Sequence, residues 1–387
     1  MNMKKILVSA LAAGALAALA EPSGDRPDAR HAWAVHDVNR PDPVKVDVPA
    51  GGVPSDARVL FDGTAASAAR NWRARGGGPT KWTVKDGSFV CTPGSGPAVT
   101  AEDYGDCQLH IEWQTPVNDV EGLGNSGVIF MGRYEIQILD SSAIVPSTSP
   151  WKPANYADGQ AGAVYGQNPP LVNPTRRPGE WQTYDIVFHQ PIFDGNRLVH
   201  PGSLTVFLNG VLVQDHWELE GHTWHSRRAA QEKPPATKGS IQFQDHGNPV
   251  HFRNVWVREL PSRYANTTHG TFLAKEADVT ALRRETAAKL FAKIDQTKCG
   301  AEQVNQILEV IAYSKDEPFL GACKKICAGY LAQLNAMDDK ALDANKGAIL
   351  SVKRSADVLQ RNKVVENCPL CAKIFSIVEQ KGWNKKK

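Results

Sequence analysis

Between residues 58 and 260 the apolar residues alternate rather than recur with a helical period. Cys107-Gln-Leu-His-Ile-Glu-Trp113 is the cleanest example. In an extended strand Cys107, Leu109, Ile111 and Trp113 fall on one face, and Gln108, His110 and Glu112 on the other. Tyr134-Glu-Ile-Gln-Ile-Leu-Asp140 repeats the pattern, with Tyr134, Ile136 and Ile138 opposed to Glu135 and Gln137. Segments of this kind are short and are separated by turn chemistry. Asp86-Gly87 and Asn209-Gly210 are dipeptides that close two-residue hairpins. Many short strands with such turns predict an antiparallel β-sandwich or jelly roll over 58–262.

The pattern changes near residue 270. Val304, Ile307, Leu308 and Ile311 keep the spacing of an amphipathic helix, and helical stretches are predicted at 274–294, 302–314, 320–337 and 342–359. The expected class is therefore mainly β, a jelly-roll sandwich followed by an α-helical C-terminal domain at 270–387, a bundle of antiparallel helices that is HEAT-like in outline. No catalytic pattern marks the helical region, so it is read as a surface for a protein partner. Its end, Lys385-Lys-Lys387, is expected to fray.

Residues 1–20 carry Lys4 and Lys5, a short apolar run and Ala18-Leu19-Ala20, the pattern of a cleaved secretory signal. The apolar run is too short to span a bilayer comfortably, so a periplasmic or secreted protein without a membrane span is expected. Residues 21–57, rich in Pro, Asp, Ala and Gly, are predicted to form a flexible linker. A net charge of +3 gives no field to recruit nucleic acid.

Seven cysteines in an exported chain suggest disulfides. Cys91 and Cys107, in predicted neighbouring strands, are candidates to pair. Cys323 and Cys327 share a helix face, and Cys368-Pro-Leu-Cys371 is a C-x-x-C; together they could also hold zinc, though disulfides suit the compartment better. Ala372 follows, so no haem-attachment signature is present.

No G-x-S-x-G elbow, H-E-x-x-H, P-loop or dinucleotide fingerprint occurs. His222-Thr-Trp-His225 lies in a loop and reads as surface before metal pair. What remains is polar residues on strands: Glu135 with Gln137; Gln242, Gln244 and His246; and His110 with Glu112. An antiparallel sheet normally leaves one face wet, but these strands carry no lysine. A carbohydrate groove is therefore expected, flanked by two long loops rich in aromatic residues, Ser141–Asn173 and His216–Lys238.

Gly124-Asn-Ser-Gly-Val-Ile-Phe-Met-Gly-Arg-Tyr-Glu-Ile-Gln-Ile-Leu-Asp140 closely resembles the signature of the 3-keto-disaccharide hydrolase domain family, formerly a domain of unknown function. Residues 156–167, 178–185 and 244–260 resemble it as well, in the same order. Cys107 departs from the pattern, which more often has an aromatic residue there. The resemblance covers about 58–260 and implies a concanavalin A- or glucanase-like jelly roll with a sugar-binding concave face. It also implies a chemistry. A ketone at C3 acidifies the C2 proton; a base removes it, the C1 substituent leaves, and water adds to the enone.

Glu135 or His246 is the candidate base, the other being the acid, with Asp245 orienting the histidine or anchoring a loop. Asn125, Arg133, Gln137, Tyr165 and Gln244 are the candidate sugar ligands. The enolate would be stabilised by hydrogen-bond donors or by a divalent metal ion, the one cofactor the chemistry suggests. Two alternatives stay open: two-carboxylate glycoside hydrolysis with Glu112 as second acid, and a non-catalytic glycan-binding module.

Overall fold

The computed structural model describes residues 25–117, 123–142, 156–228, 234, 236–261 and 276–384. The predicted signal segment, Trp151 and Lys385–Lys387 lie outside them. The chain divides into two compact units. One spans Val44–Arg263, and the other joins the segment before it to the helical region after it.

The first unit is built from short strands: Arg58–Phe61 (β1), Trp72–Ala74 (β2), Thr83–Lys85 (β3), Ser88–Val90 (β4), Ala98–Thr100 (β5), Cys107–Gln114 (β6), Ser126–Phe130 (β7), Tyr134–Ile138 (β8), Gln182–His189 (β9), Ile192–Asp194 (β10), Arg197–His200 (β11), Ser203–Leu208 (β12), Val211–Glu218 (β13), Thr223–Trp224 (β14), Arg227–Arg228 (β15), Ile241–Phe243 (β16) and His251–Glu259 (β17). One sheet runs β13-β12-β9-β6-β17-β4-β3, with β1 also on β17. The second runs β2-β5-β16-β7-β8, and β10-β11 and β14-β15 are small hairpins. The sandwich core holds Trp72, Trp113, Tyr134, Ile136, Ile138, Tyr184, Phe243 and Phe252, contributed by both sheets. Asn209, at φ 53°, and Gly210, at φ 78°, make the β12–β13 turn, a backbone these two residue types tolerate.

The two sheets differ in what covers them. β6 and β9 alternate buried and half-buried residues along their whole length, so one face packs and the other is wet. Every residue of β5, β8 and β16 is buried. The five-stranded sheet is therefore covered on both faces, and its polar residues lie under that cover.

Cys91 and Cys107 do not pair; both are free thiols. The Cys91 N–H bonds the Val250 carbonyl, while Cys107 lies opposite Glu259 on β17. Nine residues of extended chain separate these two positions, roughly 30 Å, and a disulfide needs Cα atoms within about 7 Å.

The second unit contains helices Glu276–Phe291 (α2), Ala301–Tyr313 (α3), Phe319–Ala336 (α4), Asp339–Ala344 (α5), Lys346–Arg361 (α6) and Pro369–Gln380 (α7); a short helix, Ala65–Asn71 (α1), belongs to the sandwich. Helix α3 packs against α2, α4 and α6, and Val304, Ile307, Leu308, Val310 and Ile311 are all buried. This is a bundle around a central helix, not the linear stack of helix pairs that HEAT-like packing would give.

The predicted linker is also corrected. Ala32 and Trp33 belong to the helical core. The Tyr313 hydroxyl donates to Asp37 Oδ2 at 2.5 Å, and Asn39 Nδ2 donates to Glu309 at 2.8 Å. The composition of 21–57 looks linker-like, but one tryptophan and two polar anchors dock residues 32–39 on the helices. Trp33→Ala is expected to destabilise the helical unit by about 3 kcal/mol, read as a lower urea midpoint; a free linker would show no change.

Candidate functional site

Glu135 sits at the second position of β8, between Tyr134 and Ile136, which point into the core. Its side chain faces the other way, yet the residue is only 8% exposed. Two neighbouring segments cover its backbone. Its N–H donates to Thr223 Oγ1 at 3.2 Å, and its carbonyl accepts the Tyr165 N–H at 3.1 Å. Residues 162–165 thereby continue the sheet past β8, with Val164 bridging Ile136, so β8 is not a bare edge.

Across the sheet Glu135 pairs with Ile129, and Ile129 with Gln242. One row further, Gln137 pairs with Gly127, whose carbonyl accepts the Gln244 N–H at 2.9 Å. Glu135, Gln137, Gln242 and Gln244 therefore share one face of the five-stranded sheet. A Cβ placed on Gly127 would stand 2.2 Å from Glu135 Oε1, so the glycine leaves the space the carboxylate occupies. This gives the Gly124-Asn-Ser-Gly127 motif a physical meaning. Gly124 takes φ +61° against Thr115, Ser126 Oγ donates to the Gln244 carbonyl at 2.8 Å, and Gly127 admits Glu135.

No hydrogen bond to the Glu135 carboxylate is found among the described residues, and burial alone pushes its pKa up to about 7. Among the described residues the Oε1 atoms of Gln137 and Gln244 are buried without a hydrogen-bond partner. Such uncompensated groups are expensive in a fold, and three gather on this face.

Beside Glu135 opens a pocket of about 320 Å³, lined by Tyr156, Asp158, Tyr165, Trp224, His225 and the Arg227–Arg228 strand, among others. Glu135 flanks it and is not one of the lining residues. The Tyr165 hydroxyl is 2.9 Å from His225 Nδ1 and 3.2 Å from the Tyr156 hydroxyl. Burial raises both tyrosine pKa values; their mutual hydrogen bond raises that of Tyr165 and lowers that of Tyr156, and the charges of Asp158 and Glu135 push both further up. Burial first, then Arg133, lowers that of His222.

Other expected site residues lie elsewhere. β16 ends at Phe243, and His246 lies exposed in a bend beyond it. Two strand spacings and four residues separate it from Glu135, on the order of 15 Å, so the two do not form an acid–base pair. Asp245 does not orient a histidine. Its two oxygens accept the N–H groups of Gly96 and Gly247 at 2.8 and 2.9 Å. Burial opposes its charge, but these backbone donors outweigh the burial and hold its carboxyl below the usual range.

Glu112 lies on the outer face of the other sheet, across the core from Glu135, bonded to Arg253 at 2.6 Å and Asn254 at 2.9 Å. Asn125 is buried at the entry to β7, and the Arg133 carbonyl accepts from Thr223. Tyr156, Asp158, Trp224 and His225 were not singled out as site residues by sequence reasoning. Their signal was the aromatic content of the two long loops. Among the described residues no three His, Cys, Asp or Glu side chains are placed to hold a metal ion.

The fold defines an antiparallel jelly-roll sandwich, with a buried carboxylate and neighbouring tyrosines on one sheet face. The sequence profile of the 3-keto-α-glucoside-1,2-lyase-like domain matches residues 56–258, and the chain belongs to that family. A 3-keto-disaccharide hydrolase of Bacteroides thetaiotaomicron is 24% identical over 253 residues, 52% of this chain and 78% of the relative. A solved candidate glycosyl hydrolase of Parabacteroides distasonis is 38% identical with a TM-score of 0.50, over 57% of this chain and 93% of that one.

Gly127→Ala is expected to destabilise the sandwich by about 1–3 kcal/mol, because the buried carboxylate has no other place to go. Gly76→Ala, with open space at its Cβ, should stay within about 0.5 kcal/mol in the same urea titration.

Proposed function

We propose that this chain cleaves 3-keto-glycosides by elimination across C1–C2, with Glu135 as the base. The observation that carries the reading is the buried Glu135 carboxylate, without a hydrogen-bond partner among the described residues and with its pKa pushed up to about 7. A general base works best when its pKa lies near the operating pH. The family match and the bacterial 3-keto-disaccharide hydrolase relative support the substrate class.

Glu135 takes the C2 proton, and the C–H electrons form an enolate with the C3 ketone. The enolate expels the C1 oxygen, which needs a proton. The Tyr165 hydroxyl, kept protonated by burial, supplies it, and His225 behind it restores the proton. Release at this point is a lyase reaction. Addition of water across C1–C2, with OH to C1, the other proton of water passing to the Tyr165–His225 pair, and the proton returning from Glu135 to C2, completes hydrolysis and restores the starting protonation. Asn125, Arg133, Gln137 and Gln244 would bind the sugar hydroxyls. The pattern of residues 1–20 supports export, so the substrate would be met outside the cytoplasm.

Glu135→Gln is expected to lower turnover of a 3-keto-glucoside by about 10³-fold. In the wild type kcat/KM should rise with pH through about 7 and then level off; that limb disappears in the variant. Asp158→Asn should keep most of the activity. A loss equal to that of Glu135→Gln would favour two-carboxylate hydrolysis, and sugar binding without turnover in the wild type would leave a capture surface.

Stability should move the opposite way. The folded pKa is raised, so the stabilisation is complete below about pH 4.5 and is lost as pH rises through 7, roughly 3 kcal/mol in all. Glu135→Gln should therefore melt higher than the wild type at pH 8, and the gap should shrink toward pH 5.

A further inference from the structure

The β14–β15 hairpin forms one wall of the pocket beside Glu135, and of this wall the elimination chemistry uses His225 alone. The hairpin is fixed to the strand that carries Glu135. The Thr223 N–H and hydroxyl both donate to the Arg133 carbonyl, at 2.9 and 2.8 Å, and the Glu135 N–H donates to Thr223 Oγ1. Gln167 holds the chain just before it: its Nε2 donates to the Gly221 carbonyl at 2.8 Å, and its Oε1 accepts the Glu220 N–H at 3.1 Å. On this anchored frame the side chains stay open to solvent. Trp224 is 50% exposed at the pocket, with its ring centroid 4.7 Å from that of His222. Two arginines, Arg227 and Arg228, line the pocket against one carboxylate, Asp158. Other arginines of this unit find acids: Arg58 pairs with Glu102, Arg253 with Glu112 and Arg258 with Asp56. Arg227 and Arg228 are exposed and have no such partner among the described residues.

We propose that this wall is the subsite for the leaving group, and that it selects a leaving sugar that carries an anion, a carboxylate or a sulfate ester, held by Arg227 and Arg228 with its ring on Trp224. This rests on the elimination reading, in which Tyr165 protonates the C1 oxygen. The Tyr165 N–H bonds the Glu135 carbonyl and its hydroxyl reaches His225, so the side chain runs from β8 to the hairpin. The keto ring belongs at the Glu135 end. The group attached to the C1 oxygen belongs at the hydroxyl end, beside Trp224 and the two arginines. An indole offers a broad apolar face with a polar edge, which suits the C–H face of a sugar ring. A guanidinium fork matches the paired oxygens of a carboxylate or sulfate. Neighbouring guanidiniums repel each other, and Asp158 is a single charge set against two. An anion on the leaving sugar supplies the second, at the end of the pocket away from the Glu135 carboxylate.

Three 3-keto-disaccharides that differ only in the leaving residue (glucose, glucuronate or glucose 6-sulfate) test this on the full chain. At low salt kcat/KM should be on the order of 10-fold higher for a charged leaving residue than for glucose. Added salt should shrink the advantage by screening the exposed guanidiniums, and the double variant Arg227→Gln/Arg228→Gln should abolish it. An advantage for glucuronate alone assigns a carboxylate, and one for the sulfate alone a sulfate ester. Equal kcat/KM for all three, or an advantage that survives in the double variant, would overturn the subsite and leave the elimination reading standing. Turnover of none of them would sink the elimination reading instead, and calorimetric titration with the same compounds then decides the subsite. Tighter binding of a charged compound that is lost in the double variant supports it; equal binding of all three overturns it.

Discussion

A charged carboxylate in a dry position works against folding unless donors surround it, and Glu135 has none among the described residues. Much of the β unit makes sense as support for that position. Tyr134, Ile136 and Ile138 fix β8 from the core side. Residues 162–165 and Thr223 hold its backbone from outside. Gly127 supplies the volume into which the side chain turns. None of these contacts relieves the charge. They hold the strand still while the carboxylate stays expensive, so the acid can only sit where packing on both faces is strong enough to bear it.

The difference between the two sheets follows from this. On the eight-stranded sheet the outward acids are wet and paired: Glu112 with Arg253 and Asn254, and Asp185 with His110 at 2.7 Å, the histidine itself stacked on Trp256. These groups are satisfied and their charges are at ease. On the five-stranded sheet Gln137 and Gln244 each keep a buried acceptor without a partner among the described residues, and burial alone shifts the carboxyl of Glu135. Satisfaction on one face and deprivation on the other are what distinguish a structural polar surface from one that a ligand can complete.

The alternation in β6 and β8 was legible because a strand's period needs no knowledge of its neighbours. Which sheet a strand joins was not. Parity grouped Glu112 with His110 correctly, yet gave no hint that they lie on the opposite side of the sandwich from Glu135. The His246 expectation failed for a related reason. Alternation was extended past Phe243, but Asp245 captures the N–H groups of Gly96 and Gly247 and ends the strand there. Cys91 and Cys107 are close in sequence and both flank β17, but at its two ends. Composition hid the role of residues 25–43, because only Trp33 with Asp37 and Asn39 carries the docking. The pocket residues Tyr156 and His225 belong to loops, where spacing encodes nothing about which side chains will meet.

The placement of Glu112 bears directly on chemistry. Two-carboxylate hydrolysis needs its acids within about 5 to 10 Å on either side of one bond, and the sandwich core lies between Glu112 and Glu135. Asp158 is the acid that does line the pocket, on a loop rather than on the sheet. A C2–H bond next to a ketone asks for something simpler: one base, unpaired until substrate arrives, and a donor that stays protonated while the base is charged. Burial produces both at once, because it raises the pKa of a carboxylic acid and of a phenol alike. Glu135 then ionises near neutrality while Tyr165 keeps its proton far above it. In the proposed reaction one dry environment would thus separate base from acid without any ion pair, which is the reason the proposal is elimination and not a mechanism that needs two carboxylates in different protonation states.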